Sequence, residues 1–113
     1  MSDYITIRPS HGHWVIRAGG AVLGETRAAL ELVEGHNPAV IYFPRSDVAM
    51  AFLEPSATRS TCPHKGEANY FSIIANSGAI KDAVWSYETP KPGVEAIAGY
   101  LAFYTNKVVV EQI

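Results

Sequence analysis

Turn-forming residues recur along this chain at intervals too short to leave room for long helices. Glycine, proline and asparagine mark them, at residues 9–12, 19–20, 35–38, 44, 55–56, 63, 66, 76–78, 90–93 and 105–106. The segments between these points are rich in β-branched and aromatic residues, which favour strands. The sequence therefore predicts a mainly β protein.

Several turns lie between strand-like segments and predict β-hairpins. The flanking segments are residues 14–18 with 21–25, residues 70–75 with 83–87, and residues 100–104 with 108–111. Residues 39–43 form a further apolar run that ends at Pro44, which is typical of a buried strand.

Residues 27–34 combine a helix-forming composition with the alternation of a strand, and both assignments stay open. Residues 93–99 follow a proline and end in glycine, which predicts a short helix, and residues 46–49 could form a single helical turn. The length of 113 residues suits a single domain spanning residues 1–113. We expect an antiparallel sheet of about seven or eight strands with one or two short helices, curled into a barrel or a two-layer β structure.

The charge balance argues against a nucleic-acid partner, because the chain has nine Lys and Arg residues and eleven Asp and Glu residues. Phosphate binding needs a basic patch of several charges. No apolar run approaches the length of a membrane span, so we expect no membrane association. The N-terminus lacks the pattern of a signal peptide. The lone Cys62 has no internal disulfide partner, which fits a reducing compartment, and we expect a cytoplasmic protein.

The densest group of reactive side chains lies at residues 60–70, which read STCPHKGEANY. A thiolate nucleophile needs nearby positive charge, and His64 and Lys65 follow Cys62 closely. In the structural alternative, Cys62 is a small buried hydrophobe at a strand end, and Pro63 and Gly66 form the turn that follows. Lys65 and Glu67 are candidates for binding or for acid/base catalysis, and their alternative is a surface ion pair.

Two other stretches carry candidate binding residues. After the predicted strand at residues 39–43, Arg45 could bind an anion in a forked manner, and Asp47 could cap a short turn and pair with Arg45. Strand alternation puts Trp85 and Tyr87 on one face, and Tyr70 lies on the predicted partner strand. Such aromatic residues form either part of the core or the wall of a pocket.

The chain also contains histidines at positions 11 and 13, which with Cys62 and His64 supply ligands of the kind that zinc prefers. Their spacing matches no zinc pattern, and there is no Cys-x-x-Cys pair. We therefore predict no metal site and no cofactor.

Four blocks occur in order: YFPRSDV at residues 42–48, CPHKGEANYFS at 62–72, AVWSYETPKP at 83–92 and IAGYLAFY at 97–104. They resemble the small bacterial and fungal family known as domain of unknown function 427. The resemblance implies a mostly β domain with a curled sheet, and the family also carries a nucleotidyltransferase-like label. This sequence has neither a phosphate-binding glycine-rich loop nor a pair of acidic metal ligands on one strand. His64 stands where an aromatic residue is common in the family.

We expect the loop at residues 62–67 to lie beside the turn at residues 42–47 and the strand end at residues 85–87, enclosing a cleft. The first hypothesis is a domain that binds a small polar or anionic ligand there. The second is an enzyme that uses Cys62 as nucleophile, or Lys65 and Glu67 as an acid/base pair. The third is a homodimer formed through exposed strand edges.

Overall fold

The computed structural model of the protein describes residues 4–113, and within them the chain is mainly β. The strands are β1 (Ile5–Pro9), β2 (Trp14–Ala18), β3 (Ala21–Thr26), β4 (Leu30–Glu34), β5 (Val40–Tyr42), β6 (Leu53–Cys62), β7 (Gly66–Ala75), β8 (Gly78–Ser86), β9 (Ala102–Phe103) and β10 (Val109–Gln112). Single 3-10 turns cover Arg45–Asp47, Met50–Phe52 and Glu95–Ile97, and no α-helix occurs among these residues. None of the helices in residues 4–113 is long and apolar enough to cross a membrane.

The strands form three antiparallel sheets that do not close into a barrel. Sheet 1 has the order β1-β4-β5, sheet 2 the order β10-β2-β3, and sheet 3 the order β6-β7-β8-β9. Sheets 1 and 3 are joined beyond the end of β5, where Phe43 and Leu101 exchange backbone hydrogen bonds of 2.8 and 2.9 Å. The mainly β, antiparallel fold predicted from the sequence is confirmed, but residues 4–113 form ten strands in three sheets instead of one sheet of seven or eight strands.

The first two predicted hairpins are present. β2 and β3 meet at Gly19-Gly20, and both glycines have positive φ (58° and 81°), as the tight turn between twisted strands requires. β7 and β8 are joined at Asn76-Ser77, with Ala75 paired to Gly78.

The third predicted hairpin is wrong. β9 pairs with β8 in sheet 3, whereas β10 pairs with β2 in sheet 2. The turn at residues 105–107 therefore carries the chain from one sheet to another. Local turn chemistry does not determine which strands pair, because long-range packing decides it.

The structure also assigns the segments whose secondary structure was ambiguous or only expected from the sequence. The ambiguous segment 27–34 contains strand β4, whose pairing with both β1 and β5 outweighs its helical composition. The expected helical turns near residues 46–49 and 93–99 occur as 3-10 turns. The turn expected at residues 55–56 is wrong: both residues belong to β6, where the pairing with β7 is irregular between Pro55 and Arg59.

Two hydrophobic clusters hold the sheets together. The larger one lies between sheets 2 and 3 and includes Ile16, Phe43, Ile73, Val84 and Leu101. The smaller one lies between sheets 1 and 3, with Leu32, Tyr42, Ala68, Tyr87, Ile97 and Ala102 as its buried members. Because the smaller cluster contains buried tyrosines, polar atoms enter the protein interior at this point, and the candidate site lies here.

Candidate functional site

A cavity of about 220 Å³ opens between sheets 1 and 3 beside the smaller cluster. Strands β4 and β5 supply one wall, strands β7 and β8 supply the opposite wall, and the β6–β7 turn contributes Lys65. The lining residues are Leu32, Glu34, Asn37, Pro38, Val40, Tyr42, Lys65, Tyr70, Trp85, Tyr87 and Tyr104. The cavity thus combines aromatic walls with a few polar groups, as small-molecule sites commonly do.

The aromatic side chains of the cavity contact one another across the two sheets. Tyr42 and Trp85 meet edge to face with ring centroids 6.5 Å apart, and the indole Nε1 of Trp85 donates to the Tyr42 hydroxyl at 3.4 Å. Trp85 also packs on Tyr104, with centroids 4.6 Å apart. The hydroxyls of Tyr70 and Tyr104 are 3.5 Å apart. These contacts fix the rings of the wall relative to one another.

One ion pair lies in the cavity wall. Lys65 Nζ donates to Glu34 Oε1 at 2.7 Å, and the two side chains are 12% and 22% exposed. The Lys65 nitrogen also lies 6.0 Å from the centroid of the Tyr87 ring. Burial alone lowers the pKa of Lys65, but the hydrogen bond to Glu34 and the neighbouring Tyr87 and Cys62 outweigh it, so the net pKa is raised. Lys65 is therefore a charged donor whose charge is balanced by Glu34.

Three phenols of the cavity, those of Tyr42, Tyr87 and Tyr104, have raised pKa values and stay protonated at neutral pH. Burial raises the pKa of Tyr42 to about 12, and burial with the Tyr70 hydrogen bond raises the pKa of Tyr104 to about 12. Burial also raises the pKa of Tyr87. A neutral phenol both donates and accepts hydrogen bonds, so these hydroxyls can bind a partner of either kind.

A family model described as Domain of unknown function (DUF427) matches residues 6–112. The chain belongs to this family. The resemblance seen in the four sequence blocks is thereby confirmed. No curated protein matches the chain.

In this DUF427 domain, four of the residues singled out from the sequence meet in the cavity: Lys65, Tyr70, Trp85 and Tyr87. Trp85 and Tyr87 share a face, as the alternation of the strand predicts. Between them, Ser86 is fully buried on the opposite face.

The other residues of the Cys62–Glu67 loop do not line the cavity. Cys62 is half-buried and packs against the smaller hydrophobic cluster, while His64 and Glu67 are exposed. The alternative in which Lys65 forms a surface pair with Glu67 is wrong, since Lys65 bonds to Glu34.

Arg45 and Asp47 lie away from the cavity. Arg45 Nε donates to the Gly99 carbonyl at 3.0 Å, and its Nη2 donates to the Ser86 hydroxyl at 3.2 Å and to Glu88 Oε2 at 2.7 Å. Asp47 accepts a 2.7 Å hydrogen bond from the Thr26 hydroxyl. The expected Asp47 cap is wrong, because its 3-10 turn has no side-chain cap, and Arg45 pairs with Glu88 instead of Asp47.

Sequence reasoning missed three polar residues of this DUF427 cavity, Glu34, Asn37 and Tyr104. It placed Tyr42 in a turn beside the cleft without naming it as a binding residue. Tyr42 and Tyr104 lie in sequence blocks shared with the family, so those blocks were the available signal. Glu34 ends the segment whose helix or strand assignment was open, and only its place in β4 directs it towards Lys65.

No group of three or more His, Cys, Asp or Glu residues within residues 4–113 is arranged to hold a metal ion.

Proposed function

We propose that this protein binds a small, neutral, hydroxyl-rich molecule in the cavity between sheets 1 and 3. The observation that carries the proposal is the Lys65–Glu34 ion pair of 2.7 Å in a cavity wall whose other polar groups include neutral phenols. Since the ammonium is already balanced by a carboxylate, an anionic ligand would have to compete with Glu34. A neutral ligand can instead accept from Lys65 and donate to Glu34 without breaking the pair.

The size and chemistry of the lining support this class of ligand. The cavity, at about 220 Å³, is below the roughly 300–1,000 Å³ of drug-sized sites, so it suits a group no larger than about one ring. The phenols of Tyr42, Tyr70, Tyr87 and Tyr104 can each donate and accept, which matches hydroxyl groups that do the same. Their rings and that of Trp85 present flat apolar surfaces to the ring of the ligand.

Among the described residues, no contact supports the enzyme hypothesis. Cys62 does not line the cavity, and Lys65 has Glu34 as its partner, so neither a thiol nucleophile nor a Lys65–Glu67 acid/base pair is assembled there. Ligand binding is therefore the function that we propose.

A thermal-shift screen followed by calorimetry tests the proposal. The screen compares neutral compounds (monosaccharides, methyl glycosides and glycerol) with anions of similar size (inorganic phosphate, sugar phosphates and small dicarboxylates). We expect the neutral set to raise the melting temperature. Stabilisation by the anions alone would contradict the proposal.

A pair of tyrosine variants locates the site. Tyr87→Phe removes a hydroxyl from the cavity, whereas Tyr100→Phe is the control, because Tyr100 packs against the same cluster without lining the cavity. A lost hydrogen bond should weaken binding by about threefold to tenfold in Tyr87→Phe and leave Tyr100→Phe unchanged. Equal affinities in the two variants would place the ligand elsewhere.

A further inference from the structure

A second hollow adjoins the cavity where the three sheets meet. This groove has a volume of about 500 Å³. Its lining residues are Trp14, Asn37, Pro38, Ala39, Val40, Ile41, Trp85, Phe103, Tyr104, Thr105 and Val110. None of them is charged, and most are apolar. The groove therefore differs in chemistry from the cavity, which contains the Lys65–Glu34 pair.

The groove and the cavity have a common boundary. Asn37, Pro38, Val40, Trp85 and Tyr104 line both. On one side of the boundary is the loop between β4 and β5, and on the other side are the packed rings of Trp85 and Tyr104, with centroids 4.6 Å apart. The two hollows therefore adjoin one another along these five residues.

We propose that the natural ligand is amphipathic, with a neutral hydroxyl-rich head in the cavity and an apolar tail in the groove. This inference rests on the proposed function, since it assigns the head to the same cavity. The tail is assigned to the groove because the two hollows share five lining residues and because the groove offers no charged partner to a polar group. Apolar contacts with Ile41, Phe103 and Val110 would hold the tail.

A tail buried in the groove makes affinity depend on chain length. Each buried methylene should tighten binding by about threefold to fourfold until the groove is filled. A head group bound alone in the cavity would show no such dependence. The dependence of affinity on alkyl chain length therefore distinguishes a tail bound in the groove from a head group bound alone in the cavity.

The probes are methyl, butyl and hexyl glucoside, used below their micelle concentrations, with 1-hexanol as the tail without a head. Calorimetry on the full chain measures their affinities. We expect affinity to rise steadily from methyl to hexyl glucoside and hexanol to bind more weakly than hexyl glucoside.

Neighbouring valines of β10 provide a matched pair of variants. Val110 lines the groove, whereas Val109 is 52% exposed and does not line it. Val110→Lys should abolish the gain with chain length and leave methyl glucoside binding unchanged, and Val109→Lys should retain the gain. If Val110→Lys does not fold, Val110→Thr, which is closer in size, should reduce the gain per methylene.

The outcomes separate the two proposals. Binding of methyl glucoside with no dependence on chain length would overturn the amphipathic ligand and leave the proposed function standing. Binding of hexanol as tight as that of hexyl glucoside would overturn the shared ligand, because the groove would then act alone. If none of the glucosides binds, both proposals fail, because each places a neutral, hydroxyl-rich group in the cavity.

Discussion

The Lys65–Glu34 pair gives the sharpest test of how the cavity is built. Lys65→Met keeps the apolar stem of the side chain but leaves the Glu34 carboxylate in the wall without its ammonium. Removing one partner of a fully buried pair costs about 3–5 kcal/mol. Here the side chains remain 12% and 22% exposed, so water can reach the orphaned group. We therefore expect the free energy of unfolding to fall by about 2 kcal/mol, which lowers the melting temperature by roughly 8 °C in a chain of this size.

A double-mutant cycle measures the pair itself. Lys65→Met, Glu34→Gln and the double variant are unfolded in urea at neutral pH, and the coupling free energy should be about 1–2 kcal/mol. The control cycle uses Arg17 and Glu111, which bond at 2.6 Å but have side chains 48% and 42% exposed. Exposed pairs couple by about 0.2–1 kcal/mol. A Lys65–Glu34 coupling no larger than that of the control pair would refute the reasoning that burial strengthens the pair.

Three further predictions concern other parts of the fold. Burial raises the pKa of Tyr42 from 10.0 to about 12. The protonated phenol therefore stabilises the folded state fully below about pH 10, and the protein loses about 2–3 kcal/mol of stability as the pH rises through about 12. Urea titrations across that range should show a smaller loss in Tyr42→Phe, and an equal loss would contradict the assignment. Arg45→Met should lower the free energy of unfolding by about 1–3 kcal/mol, because the buried Ser86 hydroxyl and the Gly99 carbonyl lose the hydrogen bonds that Arg45 donates to them. Calorimetry should show unchanged ligand affinity in this variant. Gly66→Ala should lower the free energy of unfolding in urea by about 1–3 kcal/mol, because Gly66 has φ +112° in the β6–β7 hairpin. An added Cβ would meet no atom closer than 3.5 Å, so the cost would come from backbone strain and not from a clash. Unchanged stability would show that this strain is absent.

Features of the fold that depend on adjacent residues could be predicted from the sequence. The turn at Gly19-Gly20 needs positive φ at both residues, and glycine supplies this wherever the strands lie. The hairpin at residues 76–78 was predicted on similar grounds. The turn at residues 105–107 gave the same kind of signal, but its strands joined different sheets. A turn sequence determines only that the chain reverses, so strand pairing across the molecule could not be read from it.

The same distinction explains which parts of the site were predicted. Trp85 and Tyr87 face the cavity together because alternation along one strand is a local property. The partner of Lys65 is Glu34, which lies 31 residues earlier in the chain, whereas the sequence drew attention to Glu67 two residues away. The hairpin turn points Lys65 towards sheet 1 and leaves Glu67 exposed on the strand that follows. Such a contact depends on the approach of two sheets, which no single segment encodes.

The cavity lies where the packing of this fold departs from that of an ordinary core. Protein interiors are close-packed, and aliphatic side chains fill them with few voids. In the larger cluster, between sheets 2 and 3, the aliphatic side chains of Ile16, Ile73 and Leu101 are fully buried. Between sheets 1 and 3, buried Tyr42 and Tyr87 instead border a hollow of about 220 Å³ and keep raised pKa values there. Apolar side chains in place of Lys65 and Glu34 would avoid the desolvation cost of the ion pair. Departures from local packing of this kind are expected at functional sites, and this is the physical ground on which we propose a ligand in the cavity, to which the Cys62–Glu67 loop contributes only Lys65.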